Sequence, residues 1–234
     1  MVNIEIAGIA VSLENKYPYI EKITSRFLTD KEPLFSVSAG EEDVERERKK
    51  LSVTAGYAES VVLYSEIAER LHLYDALVMH AAAIDVDGSA YLIAAKSGVG
   101  KTTHARLWLE AFGDRAKIIN GDKPIIRKID GELYAAGTPW CGKERLGGVG
   151  MSKIRGIAVL VRGAENRAEA LGEKEAAAEL IRQIYMPKSP VAIASSLSLL
   201  GELIGAVRTV RLCANMDISA ARVSYNAMSA NSEI

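Results

Sequence analysis

The chain has 234 residues, 49% of them hydrophobic, with 29 basic against 30 acidic residues and a net charge of -1. Such a composition supports a sizeable core, and the balanced charge excludes a general nucleic-acid or membrane-surface binder, which needs a basic excess. No apolar stretch approaches the roughly 20 residues that span a bilayer. The start, Met1-Val2-Asn3-Ile4-Glu5-Ile6, lacks the basic-then-apolar layout of a secretion signal. Cys141 and Cys213 are too few for a disulfide framework, so a reducing cytoplasm is the expected location.

Residues 1–55 read as a small β-rich segment packed on the core, with β-like pieces at 4–11 and 34–37. The run 41–50 mixes both signs of charge, which marks a solvated turn or exposed helix rather than a binding tail. Residues 56–234 read as a nucleotide-binding domain. Val61, Leu63, Ile67, Ala68 and Leu71 recur at helical spacing over 58–73. Residues 77–86 read as a strand, Asp87-Gly88 as a hairpin turn and 90–94 as the returning strand. A helix is expected over 102–112 and a buried strand over 116–120. Asp130-Gly131 turns a second hairpin between 125–129 and 133–136, and a further strand is expected over 157–161. Helical patterns cover 173–185 and 190–204, residues 207–212 alternate like a strand, and Asp217 is placed to cap a last helix. Hairpins mixed with helices predict an α/β core with a mixed sheet.

The segment Ala95-Lys96-Ser97-Gly98-Val99-Gly100-Lys101-Thr102 matches a phosphate-binding loop, with Ala95 in the place of the usual first glycine. A strand leads in and a helix leads out, which is the context the motif requires; a chance Gly-rich turn is the bland alternative. Gly98 and Gly100 let backbone N–H groups turn inward around an anion, and the helix N-terminus and Lys101 add positive charge. Ser97, Val99 and Thr103 complete the nucleotide-binding set, and the Thr102 hydroxyl suits a magnesium ion on the outer phosphates.

Asp122, in Asn120-Gly121-Asp122-Lys123-Pro124, follows the strand after that helix. An acidic residue there can hold the metal or accept the acceptor's proton; a turn aspartate bonded to its own backbone is the alternative. Lys123 either steadies transferred phosphate charge or is an exposed turn lysine. His80 precedes the loop hairpin, whose folding brings its strand beside the one feeding the loop. It is read as a structural histidine or as a group reaching the phosphates. His104 points either way, and His72 looks like a surface residue. In the loop 137–145, Lys143 and Arg145 are candidate anion clamps, while Trp140 either closes on a ligand or plugs the core. Cys141 reads as a packed structural thiol.

Taken together, Met79-His80-Ala81-Ala82, the segment from Ser97 to His104, Asn120-Gly121-Asp122-Lys123-Pro124 and Gly137-Thr138-Pro139-Trp140-Cys141-Gly142-Lys143 resemble the HPr kinase and phosphoenolpyruvate carboxykinase superfamily, in its short bacterial members. The resemblance extends to Ala164-Glu165-Asn166-Arg167 and Leu212-Cys213-Ala214-Asn215-Met216. It implies a carboxykinase-type P-loop fold with a mixed sheet and flanking helices, and catalytic roles for Asp122, His80 and Lys101. It also implies ATP with Mg2+ (or Mn2+) as cofactors, Thr102 and Asp122 as metal ligands, and phosphoryl transfer to a hydroxyl on a small protein, peptide or metabolite. Carboxykinase activity on oxaloacetate, using Lys143, Arg145 and Arg155, is the alternative, and a non-catalytic ATP-binding partner is another. Gly121 stands where the parent families carry a further aspartate, and Lys96 where the short members carry a small residue or proline. The oligomeric state, including a homo-oligomer, stays open.

Overall fold

The computed structural model describes residues 1–230. Strands β1 (Val2–Ile6) and β2 (Ile9–Glu14) form a hairpin, because Ala7 and Gly8 take positive φ and turn the run that reads as a single strand. After helix α1 (Tyr19–Thr24), strand β3 (Phe35–Ser38) pairs parallel to β2. The charge run is helix α2 (Glu41–Leu51). Its first turn is acidic and its last turn basic, the arrangement that complements the helix dipole. Helix α3 (Ala55–Arg70) starts where the Thr54 hydroxyl accepts from the Tyr57 amide. The three-stranded sheet and α3 share one core, in which Ile4, Ile9, Leu13, Leu63 and Ile67 are fully buried.

Nine strands form the main sheet. They are β4 (Ala76–Val78), β5 (Ala81–Val86), β6 (Ser89–Ala94), β7 (Ala116–Asn120), β8 (Ile125–Ile129), β9 (Glu132–Ala136), β10 (Met151–Arg162), β11 (Arg167–Ala170) and β12 (Arg208–Ala214). Along the main path the order is β4-β8-β9-β10-β6-β5-β7, with β12 on β10 and β11 on β12. Strand β10 runs parallel to β6 and β12 and antiparallel to β9, so the sheet is mixed as expected. The two ends of the path are continuous in sequence with strands from its opposite ends: β4 leads into β5, and β7 into β8. The sheet therefore curls, and two antiparallel runs, 76–86 and 116–129, each pass from one half of it to the other. Each run breaks its pairing on the way, at Met79-His80 and at 121–124. The strand expected over 77–86 is thus two strands.

Helices cover the faces. α4 (Lys101–Phe112) and α7 (Ser219–Ser229) pack on one face of β5, β6, β10 and β12, where Trp108, Ile84, Ile93 and Leu212 are buried. α5 (Glu173–Leu180) and α6 (Pro190–Ala206) cover the opposite face through Leu180, Leu199 and Leu203. α6 begins with a Ser189 cap and Pro190 at its first position. The helix expected to reach 185 stops at Leu180, because residues 183–185 pair with the broken strand instead: the His80 amide donates to the Gln183 carbonyl (2.6 Å) and the Tyr185 amide to Val78 (2.9 Å). Asp217 caps as expected, accepting from the Ser219 amide at 2.9 Å. Among the described residues no helix is long and apolar enough to cross a membrane.

His104 lies on the inner face of α4 at 3% exposure, where its Nε2 accepts from Trp108 Nε1 (3.1 Å) and lies 3.2 Å from Ser224 Oγ. Burial lowers its pKa from 6.5 to about 4. The unfolded chain therefore takes up a proton that the folded chain refuses. The stability present above pH 6.5 is lost on acidification towards the folded value, by ~3 kcal/mol in all. Between about pH 6.5 and 5, where few carboxylates titrate, the urea midpoint should fall in the native chain and stay nearly level in His104→Gln. Equal falls in both would remove His104 as the cause.

Candidate functional site

Strands β6, β10 and β12 are parallel, and β7 runs the same way as β6 because both are antiparallel to β5. Their carboxyl ends therefore meet along one edge, where loops can converge on a ligand. The phosphate-type loop leaves β6 there, Asn120 and Asp122 follow β7, and Arg162 ends β10. His80 joins them because β5 begins at that edge, one residue beyond the break.

Gly98 and Gly100 sit at φ 79 and 124, a region that residues with a Cβ rarely enter. Helix α4 begins at Lys101 with no side-chain cap, so its first amides are left for a ligand. The Arg162 guanidinium donates to the carbonyls of Gly98 (2.6 Å) and Val99 (3.1 Å). The Val99 amide closes the loop on itself by donating to the Lys96 carbonyl (3.3 Å). Ser97 and Thr103 are exposed, and Thr102 is half-buried in the first turn of α4.

Lys101 is buried, and its ammonium donates to the Ala95 carbonyl (3.2 Å) and to His80 Nε2 (2.9 Å). The same Nε2 lies 3.4 Å from Asp122 Oδ1, while His80 Nδ1 is 3.3 Å from Gln183 Oε1. A single ring nitrogen cannot accept from Lys101 and donate to Asp122 at once. The shorter contact favours the tautomer in which Nδ1–H faces Gln183 and Nε2 accepts from Lys101. Removing Lys101 would let a protonated Nε2 turn to the carboxylate. Burial draws the Lys101 pKa below its ordinary value, with Lys123 assisting and Asp122 opposing. For Asp122, burial favours the neutral acid, but a hydrogen bond from His80, in the tautomer that carries its proton on Nε2, and the Lys123 and Lys101 charges outweigh it, so the carboxyl ionises below the usual value.

Asn120 fixes the turn that carries Asp122. It is fully buried; its Oδ1 accepts from the amides of Asp122 (2.9 Å) and Lys123 (2.8 Å), and its Nδ2 donates to Thr138 Oγ1 (2.9 Å). The Lys123 carbonyl accepts from the Tyr64 hydroxyl (2.8 Å) and from Thr138 (3.1 Å). The Lys123 ammonium is 3.7 Å from Asp122 Oδ2. Trp140 is packed rather than mobile: it stacks on Tyr64 (4.3 Å, 9°) and donates to the Ser60 carbonyl (2.8 Å). It also lines a cavity of about 250 Å³ whose wall includes His80 and Asp122. Arg145 lies at this cavity over the Tyr19 ring, whereas Lys143 is exposed and outside the lining. The Cys141 thiol is pushed up by burial and so stays protonated, without the character of a nucleophile.

The structure thus brings Lys101, His80, Asp122 and Lys123 into one chain of contacts beside the loop, and leaves Lys143 apart. Sequence reasoning missed Arg162 and Gln183. Neither lies in a motif, and both reach the site only through strand pairing.

The geometry has two consequences that can be measured. Asn120→Ala strands the Asp122 and Lys123 amides, and should cost about 2–3 kcal/mol in a urea titration; an unchanged midpoint would show that water replaces the side chain. At Gly121 a Cβ would stand 3.1 Å from the Leu146 carbonyl and 3.2 Å from that of Cys141. Gly121→Asp should therefore lower the melting temperature without raising magnesium affinity; tighter magnesium binding in a fully stable variant would contradict this.

No known family's profile matches the chain, and no curated protein matches it either. Among solved structures it is similar to the HPr(Ser) kinase/phosphatase from Coxiella burnetii, at 10% identity and a TM-score of 0.36, covering 64% of this chain and 88% of that one. A likeness that distant carries no argument, and the functional reading rests on the site.

Proposed function

We propose that the chain is an ATP-binding phosphotransferase that moves a phosphoryl group to a hydroxyl. The observation that carries this reading is the contact chain from Lys101 through His80 to Asp122, set against a glycine loop whose amides open onto a helix N-terminus. Such a cradle suits a polyphosphate, and the neighbouring carboxylate suits an incoming hydroxyl. A groove beside the loop, of about 450 Å³ and lined by Val99, Thr103, Leu107, Leu160 and Met216, offers an apolar surface for the nucleoside.

The donor chemistry also fits a magnesium ion. Mg2+ takes one or two carboxylates and completes its shell with phosphate oxygens and water. Asp122, ionised, and the Thr102 hydroxyl would hold it, and it would neutralise phosphate charge. Among the described residues no three His, Cys, Asp or Glu side chains gather to hold a metal without a nucleotide.

The residues then divide the work. The loop amides and Lys101 bind the transferred group's oxygens. Drawing Lys101 towards phosphate takes it off His80, and with the ring proton moved from Nδ1 to Nε2 the imidazole can then donate to Asp122. Asp122 orients the acceptor hydroxyl and accepts its proton as the new O–P bond forms. A carboxylate held below its ordinary pKa is a weak base, so the proton leaves late and catalysis is mainly positioning and charge neutralisation. The oxaloacetate alternative has less support, because Lys143 stays outside the cavity.

Calorimetry with magnesium and ATP should show binding that weakens about tenfold or more in Lys101→Ala, the loss of a charge-assisted contact. Asp122→Asn should slow phosphoryl transfer to water by about a hundredfold or more. Absence of heat for every nucleoside di- or triphosphate would overturn the proposal.

A further inference from the structure

The cavity beside Asp122 differs in character from the loop. It lies between α1, α3, the segment 139–142 and the segment 183–185, and its walls are largely apolar: Ile23, Tyr57, Val61, Ala68, Trp140 and Ile184. Its charged side chains besides His80 are Asp122, Lys123, Arg145 and Arg182, and Ser60, Ser65 and Gln183 add uncharged polar groups. His80 and Asp122 stand on the side towards the loop, and Arg145 and Arg182 are exposed side chains of its lining. Among the described lining residues Asp122 is the one carboxylate, and neither arginine forms an ion pair. The apolar walls are also rigid. Trp140 is stacked and hydrogen-bonded, and Tyr64 is anchored on the Lys123 carbonyl, so the space is built into the fold.

Resting on the phosphotransferase reading above, we infer that this cavity holds the body of the acceptor, and that the acceptor is a hydroxyl compound with a ring-sized apolar body and an anionic end. A ring or branched chain gains by leaving water against Ile23, Val61, Ala68 and Ile184. A sugar or polyol would set its extra hydroxyls against those apolar walls, which costs affinity. The anionic end meets Arg145 or Arg182, and the hydroxyl meets Asp122. In the transfer the acceptor O–H bond breaks with its proton passing to Asp122, the acceptor oxygen bonds to the γ-phosphorus, and the bond from that phosphorus to the β-phosphate oxygen breaks to release ADP. The same chemistry comes from a free hydroxy acid or from an aromatic side chain, a hydroxyl and a carboxylate side chain that are neighbours in a peptide.

Four probes separate the possibilities: 3-phenyllactate, lactate, 3-phenylpropionate and a blocked peptide with serine between phenylalanine and aspartate. With ATP and magnesium, 3-phenyllactate should be phosphorylated with a kcat/KM at least about tenfold above that of lactate, the gain from burying a ring. 3-Phenylpropionate lacks the hydroxyl and should inhibit in competition with the acceptor and not with ATP. Faster transfer to the peptide than to 3-phenyllactate would assign the same pocket chemistry to a polypeptide. Ala68→Phe, which fills the cavity, should raise the acceptor KM by about tenfold or more. Should that variant fail to fold, the competition by 3-phenylpropionate in the native chain decides. Equal use of lactate and 3-phenyllactate with no such competition would overturn the inference while leaving ATP binding intact; loss of ATP binding itself would instead be the failure of the phosphotransferase reading.

Discussion

Two strands that must both cross a curled sheet cannot keep their pairing through the crossing, and the site exists because they lose it at the same level. The run 76–86 gives up β8 before it takes up β6, and the run 116–129 gives up β5 before it takes up β4. Polar groups freed inside a fold must find other partners. At the first gap the Met79 amide donates to the Pro124 carbonyl and the His80 amide to Gln183. At the second, the Asn120 side chain accepts from two amides. The gaps place an imidazole and a carboxylate opposite each other, beside a loop that leads into an uncapped helix N-terminus.

The charges follow from this placement. Burying an ammonium is costly unless a counter-charge is close. Lys101 lies in the interior with one carboxylate nearby, and the imidazole stands between the two. The arrangement holds the lysine without neutralising it fully, so it keeps an attraction for a stronger anion. A polyphosphate would offer more charge than Asp122 does, and the lysine would exchange one partner for the other.

Local chemistry made much of this legible in the sequence. The loop glycines, the Asp-Gly turns and the continuous apolar run from Ala90 to Ala94 identify the loop, the hairpins and the buried strand that feeds the loop. The hairpin argument also brought His80 to the loop. The rest depended on pairing between distant segments. The strand break at Met79-His80 has no signal in its own residues, since both flanks are continuous apolar strand. Helix α5 stops at Leu180 because residues 183–185 add to that break, and strand β11 (Arg-Ala-Glu-Ala) is a short, exposed edge whose only apolar side chains are alanines, too weak a signal to read as a strand. Strand β10 begins at Met151 rather than 157, since its first residues pair with β9 and only its later ones with β12. Arg162 and Gln183 belong to the site by topology alone.

Arg162 has an outcome for how a ligand is met. A glycine loop left to itself samples many backbone states, and closing it around an anion would draw on the binding energy. Here a planar cation at the end of the longest strand clasps two consecutive carbonyls of the loop from behind. The cost of ordering has been met during folding. An arriving anion finds the peptide dipoles already aligned, and its affinity for the loop becomes a property of the sheet that holds it.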